Sequence, residues 1–380
     1  MISPQFRPIL GGYERAAERL ALSLADRGNN VCILAERRNR AWPRKEFISR
    51  FILYRWWCIY RPHLHILSSV IGLAAELLLI GRRYDVWHVH QYGVHAIVAI
   101  IFGKLFGRPV VMKLTSSNEE GFSRMVAKTR MPRLMAATLR RLDAVVALTR
   151  ETRAEAIEFG IPAPRVHLLG NGVDVVTFAP SDEAARLAMK ETLGLGTSAV
   201  VLYVGRLSAE KNPCGLLRAW SSVDNNLSDD WKLVMVGEGP EHPAIAALIT
   251  DLGLTDQVIF TGRQDDVARW MRAADIYVLP SRNEGLSNSL LEAMASGLPV
   301  VATRVSGVLE LVEETGAGLV VDVGDMHGLG RSLVRLARDP ELRNDMGKRA
   351  RRTIESRFAI ASVAAAHETL YRQLNLAQSV

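Results

Sequence analysis

The stretch from Asp275 to Thr303, "DIYVLPSRNEGLSNSLLEAMASGLPVVAT", decides the fold. It opens on a short apolar run, "DIYVLP", and closes on another, "PVVAT", both rich in β-branched residues. Between them lies a helical pattern whose cap is Ser287 or Asn288, residue types that bind the first free backbone N–H groups of a helix. Strand, helix, strand is a βαβ unit, which builds parallel sheet. Two carboxylates sit in this stretch, Glu284 and Glu292, eight positions apart. Glu292 lies among leucines and small apolar residues, where an unpaired charge is costly. Periodicity alone leaves three readings of it: turned to solvent, paired with a cation, or part of a site.

The pattern repeats outward. Apolar runs occur at 31–35, 51–55, 85–90, 109–114, 143–148 and 166–170, then at 199–205, 231–237, 257–262, 275–280, 299–303 and 318–321. Helical patterns separate them. Two such series predict an α/β chain with two Rossmann-like, doubly wound parallel-sheet domains. The turn signal Asn171-Gly172 and the polar stretch after Pro180 put the boundary near 178. The expected division is residues 1–178, 179–355 and a last helix, 356–380, that crosses back to the first domain. The first domain lacks a full opening strand: only "MIS" precedes "PQFRPILGG", so that strand reads as truncated.

Composition narrows the class. A chain of 380 residues suggests two or three domains, and 48% hydrophobic with 23% charged residues is ordinary for a globular protein. Three widely spaced cysteines, Cys32, Cys58 and Cys214, without a CxxC, argue against a disulfide framework or zinc site and for a reducing, cytoplasmic setting. Residues 1–30 carry charges throughout and show no signal peptide. The most apolar segment, Leu64 to Ile80, contains His65 and Glu76 and is short for a membrane span; it reads as a buried or interface helix, with shallow membrane contact as the second reading. The net charge of +7 is uneven. Residues 1–170 hold 26 basic and 13 acidic side chains, a net +13, and the remainder holds 21 and 27, a net −6. The basic half includes Arg124, Arg130, Arg133, Arg140 and Arg141. It implies either solvated helix faces or an anionic partner, a membrane face included. Nothing in it resembles a nucleic-acid-binding motif.

Open parallel sheets bind ligands at the carboxyl ends of their strands. After 199–205 come Arg206 and Lys211; after 231–237 comes a glycine-flanked turn at Gly237; after 275–280 come Glu284 and Gly285; at the exit of 85–90 stands His90. Two cations beside helix N–H groups suit a diphosphate. Each feature alone is weak, but four at such edges make a cleft suited to a phosphorylated ligand.

These residues carry a resemblance. "P-x-x-GG-Y-E" at 8–14, "DVWHVH" at 85–90, "NGVD" at 171–174, "VGRLSAEKN" at 204–212, "VGEGP" at 236–240, "FTG" at 260–262 and the E-x7-E block from Glu284 to Glu292 are similar to the GT-B glycosyltransferases of family 4. The resemblance runs nearly end to end. It implies two domains facing across a cleft and a retaining enzyme that uses a nucleotide-sugar donor. It implies that Arg206 and Lys211 bind the donor diphosphate, with Gly12 approaching it from the first domain. Glu284 would contact the donor sugar, with backbone N–H groups of Gly285, Leu286 and Ser287 beside it. Glu292 would hold the ribose, His90 would meet the sugar, and the backbone near Arg263 would lie by the base.

The chemistry fits those roles. Departure of a nucleoside diphosphate builds negative charge, which preorganised cations stabilise, while the sugar becomes oxocarbenium-like. No D-x-D occurs in the chain, so no metal and no cofactor are expected; the two cations would do that work. One departure stands out. Where many relatives carry a His-Gly, this chain reads Lys113-Leu114-Thr115-Ser116-Ser117, so the acceptor cannot be copied from a relative. The expected acceptor is a sugar or lipid-linked sugar of bacterial surface polysaccharide or glycolipid, met at the inner face of the membrane. The alternatives are a non-catalytic sugar-nucleotide-binding protein and another GT-B enzyme. With eight residues at 1.5 Å each, Glu284 and Glu292 would stand roughly 12 Å apart along a helix. That is too far for a carboxylate pair acting on one bond and suited to holding two ends of one nucleotide sugar.

Overall fold

The computed structural model describes residues 1–9, 11–115, 121–129, 131–223 and 230–377. Arg130 and the Ser116-Ser117 part of the expected acceptor loop lie outside the described residues. The chain forms two compact units, Met1–Gly172 with Ile360–Val380, and Val173–Ala359. The first switch comes at 172/173 rather than at 178/179, and the return at 359/360 rather than at 355/356. The connecting residues bond to the second unit: Val173 N donates to Phe358 O at 2.9 Å, and the Arg351 guanidinium donates to the carbonyls of Val175 and Phe178 at 3.0 and 2.8 Å.

The first unit contains α1 (Gly12–Asp26), β1 (Cys32–Arg37), β2 (Lys45–Ile48), β3 (Phe51–Trp57), α2 (His65–Ile80), β4 (Trp87–His90), α3 (Val94–Phe106), β5 (Val110–Leu114), α4 (Phe122–Ala127), α5 (Pro132–Leu139), β6 (Ala144–Ala147), α6 (Arg150–Glu158) and β7 (Val166–Leu168). Its strands run in the orders β1-β3-β2 and β4-β5-β6-β7. The chain start joins the two sets. Ile2 bridges both Leu34 and Val89 in parallel, and its N–H and C=O bond to His88 O and His90 N at 2.8 and 2.9 Å. Residues 1–4 thus occupy the place of a central strand, too short to be assigned as one. β2, which is absent from the apolar runs of the sequence, pairs antiparallel with β3.

The second unit contains α7 (Glu183–Thr192), β8 (Ala199–Val204), α8 (Pro213–Ser221), β9 (Trp231–Val236), α9 (His242–Asp251), β10 (Val258–Gly262), α10 (Val267–Ala273), β11 (Ile276–Leu279), α11 (Asn288–Ala295), β12 (Val300–Thr303), β13 (Gly318–Val321), α12 (Met326–Arg338) and α13 (Pro340–Arg357). Its six-stranded sheet has the order β10-β9-β8-β11-β12-β13, all parallel. Strands buried on both faces read as continuous apolar runs: β11 and β12 are buried throughout. The last helix, α14 (Ile360–Ala377), packs on α1 in the first unit.

α2 is apolar nearly all round, yet only one side packs. Ser68, Gly72, Leu73, Glu76, Leu77 and Ile80 are buried, while Ile66, Leu67, Ile71, Leu78 and Leu79 are exposed. Gly72 permits the close approach to β3: a Cβ there would come within 1.9 Å of Trp57 O. With its following 3-10 turn the helix runs over 19 residues, His65–Arg83, long and apolar enough to cross a membrane by length and composition; the sequence had suggested a shorter run.

Candidate active site

In the second unit, adjacent strands β10, β9, β8 and β11 deliver their exits side by side, and each carries an expected residue. After β8 the chain turns at Gly205-Arg206. The turn is pinned at one atom: Arg206 O accepts from the Tyr203 hydroxyl and from Ser208 N, both at 3.0 Å. A short 3-10 turn, Ala209–Lys211, follows, and Asn212 adopts the left-handed conformation with φ 54° before α8. The Asn212 amide donates to Pro280 O at 3.3 Å, and Arg282 N donates to Glu210 O at 2.7 Å. The loops after β8 and β11 are therefore stitched together.

That stitching sets one contact. Lys211 Nζ lies 2.8 Å from Glu284 Oε2, with side chains 24% and 9% exposed. The other oxygen, Oε1, accepts from the Ser281 hydroxyl at 2.9 Å. Ser281 is itself inaccessible, and its carbonyl accepts from Thr303 Oγ1 on β12. Both oxygens of Glu284 are therefore held. An ammonium has three donors, so the pairing leaves Lys211 able to bind a second anion. Arg206 is exposed beside it in the chain.

After β9, Gly237 has φ 149°, and a Cβ there would lie 1.9 Å from Gly205 O. Only glycine suits both the angle and the approach. After β10, Arg263 lies 3.5 Å from Glu238. After β11, Ser287 is the cap of α11; its hydroxyl accepts from Leu290 N at 3.3 Å. Leu286 is buried and Gly285 half-buried. Glu292 stands half-buried on α11. Burial, and then the charges of both Glu284 and Glu292, push the Tyr277 phenol above its usual range. Both carboxylates therefore act on one side chain, which donates to Ser289 Oγ at 2.8 Å. The helical ruler needs correcting. α11 begins at Asn288, so only four of the eight steps are helical, about 6 Å at 1.5 Å per residue; the rest is loop, because Gly285 and the Ser287 cap delay the helix.

The other two expected residues belong to the first unit. Gly12 is the first residue of α1, and Gly11 N donates to Glu14 Oε2 at 2.8 Å. His90 ends β4, buried, its ring stacked on His88 with centroids 4.4 Å apart. Burial, and then the Lys113 charge, hold His90 well below the usual imidazole range, so it is neutral at pH 7. Among the described residues one cluster could hold a cation: Glu36, Cys58 and His65, whose ligand atoms lie within 4.8 Å of one another. It lies in the first unit, contains no expected site residue, and its Glu36 is already paired with Arg38 at 3.0 Å.

Sequence reasoning missed the supports. Tyr203, Asn212, Ser281 and Thr303 hold the cations and Glu284 in place, and none carries a spacing that would announce it. In the sequence Lys113 stands out only as a departure from the His-Gly pattern.

Residues 186–353 match the family model described as glycosyl transferases group 1, and residues 11–172 match the glycosyl transferase 4-like domain. The chain is 30% identical over 303 residues, 77% of its own length and 76% of the relative's, to the UDP-Gal:alpha-D-GlcNAc-diphosphoundecaprenol alpha-1,3-galactosyltransferase of Escherichia coli. It is 26% identical over 375 residues to the N-acetyl-alpha-D-glucosaminyl L-malate synthase of Bacillus anthracis, covering 96% and 94% of the two chains. Among solved structures it is similar to a sucrose-phosphate synthase from Thermosynechococcus elongatus, with TM-score 0.83, 23% identity and coverage of 99% and 98%. It is also similar to HepE of Anabaena in complex with UDP, with TM-score 0.78, 21% identity and coverage of 97% and 98%.

Proposed function

Because this chain belongs to the GT-B glycosyltransferases of family 4, we propose that it moves a hexose from a nucleotide-diphosphate sugar to an acceptor hydroxyl, with retention and without a metal ion. The observation that carries this reading is the Lys211–Glu284 pair at 2.8 Å, five residues after the exposed Arg206, at the carboxyl ends of adjacent parallel strands. A cation fixed before the reaction stabilises charge on a departing diphosphate without reorganising. Lys211 and Arg206 take the diphosphate, Glu284 the sugar, and Glu292 the ribose. The N–H groups of Gly285, Leu286 and Ser287 bind the donor beside them, Gly237 leaves room for it, and the backbone at Arg263 meets the base. Gly12 and His90 are assigned to the same donor on the family resemblance. Support for the donor class comes from the UDP in the HepE complex and the UDP-Gal in the name of the Escherichia coli relative.

The acceptor is a sugar or lipid-linked sugar at the cytoplasmic face of a bacterial membrane. This is supported by the exposed apolar side of α2, by exposed Ile101 and Leu105 on α3 and Leu134 on α5, and by the +13 charge of residues 1–170. Exposed apolar side chains on a domain of net positive charge suit an anionic lipid surface.

Thermal unfolding with a panel of UDP- and GDP-sugars tests the donor. The right donor at 100 times its dissociation constant stabilises by about 2.7 kcal/mol. If none of them raises the unfolding temperature, the donor reading fails.

A further inference from the structure

We propose that Lys113 binds an anionic group, a carboxylate or phosphate, on the sugar acceptor; this rests on the glycosyltransferase reading above and specifies its acceptor. Three lysine or arginine side chains among the described residues are buried: Arg55, Lys113 and Lys190. Two have carboxylate partners within the fold, Arg55 with Glu46 at 2.7 Å and Lys190 with Asp275 at 2.7 Å. Lys113 is only 3% exposed, and no carboxylate or hydrogen-bond acceptor among the described residues pairs with it. A buried charge without a partner is costly, and replacing such a lysine with an apolar residue would ordinarily stabilise the protein.

Its surroundings make the cost larger. β5 places Lys113 in register with His90 on β4, on the sheet face that also carries His88 and is covered by α14 with His367 and Tyr371. The charged or titratable groups that act on this patch are His88, His90, His95, His367, Arg19 of α1 and the Met1 ammonium; all are basic apart from the Tyr371 phenol, which is bonded to His88 Nδ1 at 2.6 Å. The Nε2 atoms of His88, His90 and His367 are buried without a hydrogen-bond partner. Burial, and then the Arg19 charge, lower the Lys113 ammonium to about 7. An anionic oxygen here would gain a charge-assisted hydrogen bond and offset the repulsion between Lys113 and Arg19.

The location selects the acceptor. Lys113 is one residue from the carboxyl end of β5, and neighbouring strands lie about 4.8 Å apart. An anion held there sits close to His90, the residue assigned to the donor sugar. The acceptor class is therefore one whose anionic group lies within a few bonds of the attacking hydroxyl.

The test compares wild type with Lys113→Met and Lys113→Arg, using inorganic phosphate, malate and vesicles containing phosphatidylglycerol as probes. Thermal unfolding reads the soluble anions and co-sedimentation reads the vesicles. Wild type should show saturable protection by phosphate or malate that weakens about tenfold or more in Lys113→Met, the loss of one charge-assisted bond, and is partly kept in Lys113→Arg. Without ligand, Lys113→Met should unfold at a temperature equal to or above wild type, which excludes simple misfolding. A Lys113-dependent effect confined to vesicles identifies the anion as a lipid headgroup; one confined to soluble anions identifies a free acceptor. Anion effects equal in wild type and Lys113→Met, or absent with all three probes, overturn the proposal. Protection by UDP- or GDP-sugars, measured on the same samples, should be unchanged in Lys113→Met. Its absence from wild type would refute the donor reading while leaving the anion result readable.

Discussion

Lys211→Met removes the ammonium of the Lys211–Glu284 pair and keeps an unbranched stem. Its two consequences separate. For stability, the pair lies between the surface case, worth about 0–1 kcal/mol, and the fully buried case, where breaking it costs about 3–5 kcal/mol. Lys211 is 24% exposed and Glu284 9%, and Ser281 still holds Oε1, so a loss of about 1–2 kcal/mol is expected. For a domain of this size that lowers the unfolding temperature by roughly 2–8 °C. For turnover, losing a preorganised charge opposite a developing anion costs about 3–4 kcal/mol, or 100- to 1,000-fold in kcat. The assay is release of nucleoside diphosphate at saturating donor, run well below the unfolding temperature of the variant. Lys211→Arg, which keeps the charge but changes its shape, should fall between the two. Turnover of Lys211→Met within about threefold of wild type would refute the assigned role, whatever happens to stability.

Asp275→Asn should cost about 3–5 kcal/mol in urea unfolding, because Asp275 accepts from Lys190 Nζ, Arg186 Nη1 and Val200 N at 2.7, 3.2 and 2.8 Å; a loss below 1 kcal/mol, by the surface-pair standard, would show that the buried lysine relaxes to solvent. Gly237→Ala places a methyl 1.9 Å from Gly205 O and should weaken donor binding or lower stability by more than about 1–3 kcal/mol, the usual cost of overpacking; wild-type behaviour in both measurements would contradict the geometry. Stability should fall as pH drops from 6.5 towards 4. His95 and His367 are lowered to about 4 by burial, and His88 and His90 lie well below their usual value, so the unfolded chain takes up protons that the folded chain refuses. Each histidine contributes up to about 1.4 kcal/mol per pH unit in that window, and equal urea midpoints at pH 7 and pH 5 would exclude neutral buried rings.

Twelve of the strands were legible because a parallel sheet covered on both faces demands unbroken apolar runs, as in β11 and β12. β2 was not legible. Lys45-Glu46-Phe47-Ile48 is an edge strand with Lys45 and Phe47 exposed, and charged edge strands carry no such run. Arg206, Lys211 and Glu284 stand out in the sequence because strand exits in this fold are where ligands bind, and Glu292 stands out through the family resemblance. Their supports do not, since Ser281 and Thr303 act through tertiary contacts that no spacing encodes. The domain limits shifted because Arg351, 173 to 176 residues away in sequence, holds the carbonyls of Phe178 and Val175.

The two ends of β11 show how a carboxylate closed off within the fold differs from one left open to further partners. Asp275, just before the strand, has each donor supplied by scaffold: two cations of α7 and a β8 amide. Its charge is matched within the fold and nothing about it calls for a ligand. Glu284, beyond the other end, is paired with a lysine on a loop, a quarter exposed and with donors to spare. The first arrangement is closed and the second is open. Lys113 is the mirror image of the second, a buried cation with no anion supplied by the described residues. The opening stretch keeps both its carboxylates on this side of the sheet: Glu292 is half-buried on α11, and its charge acts on the Tyr277 phenol together with that of Glu284, so the two belong to one electrostatic neighbourhood although only four of the eight steps between them are helical.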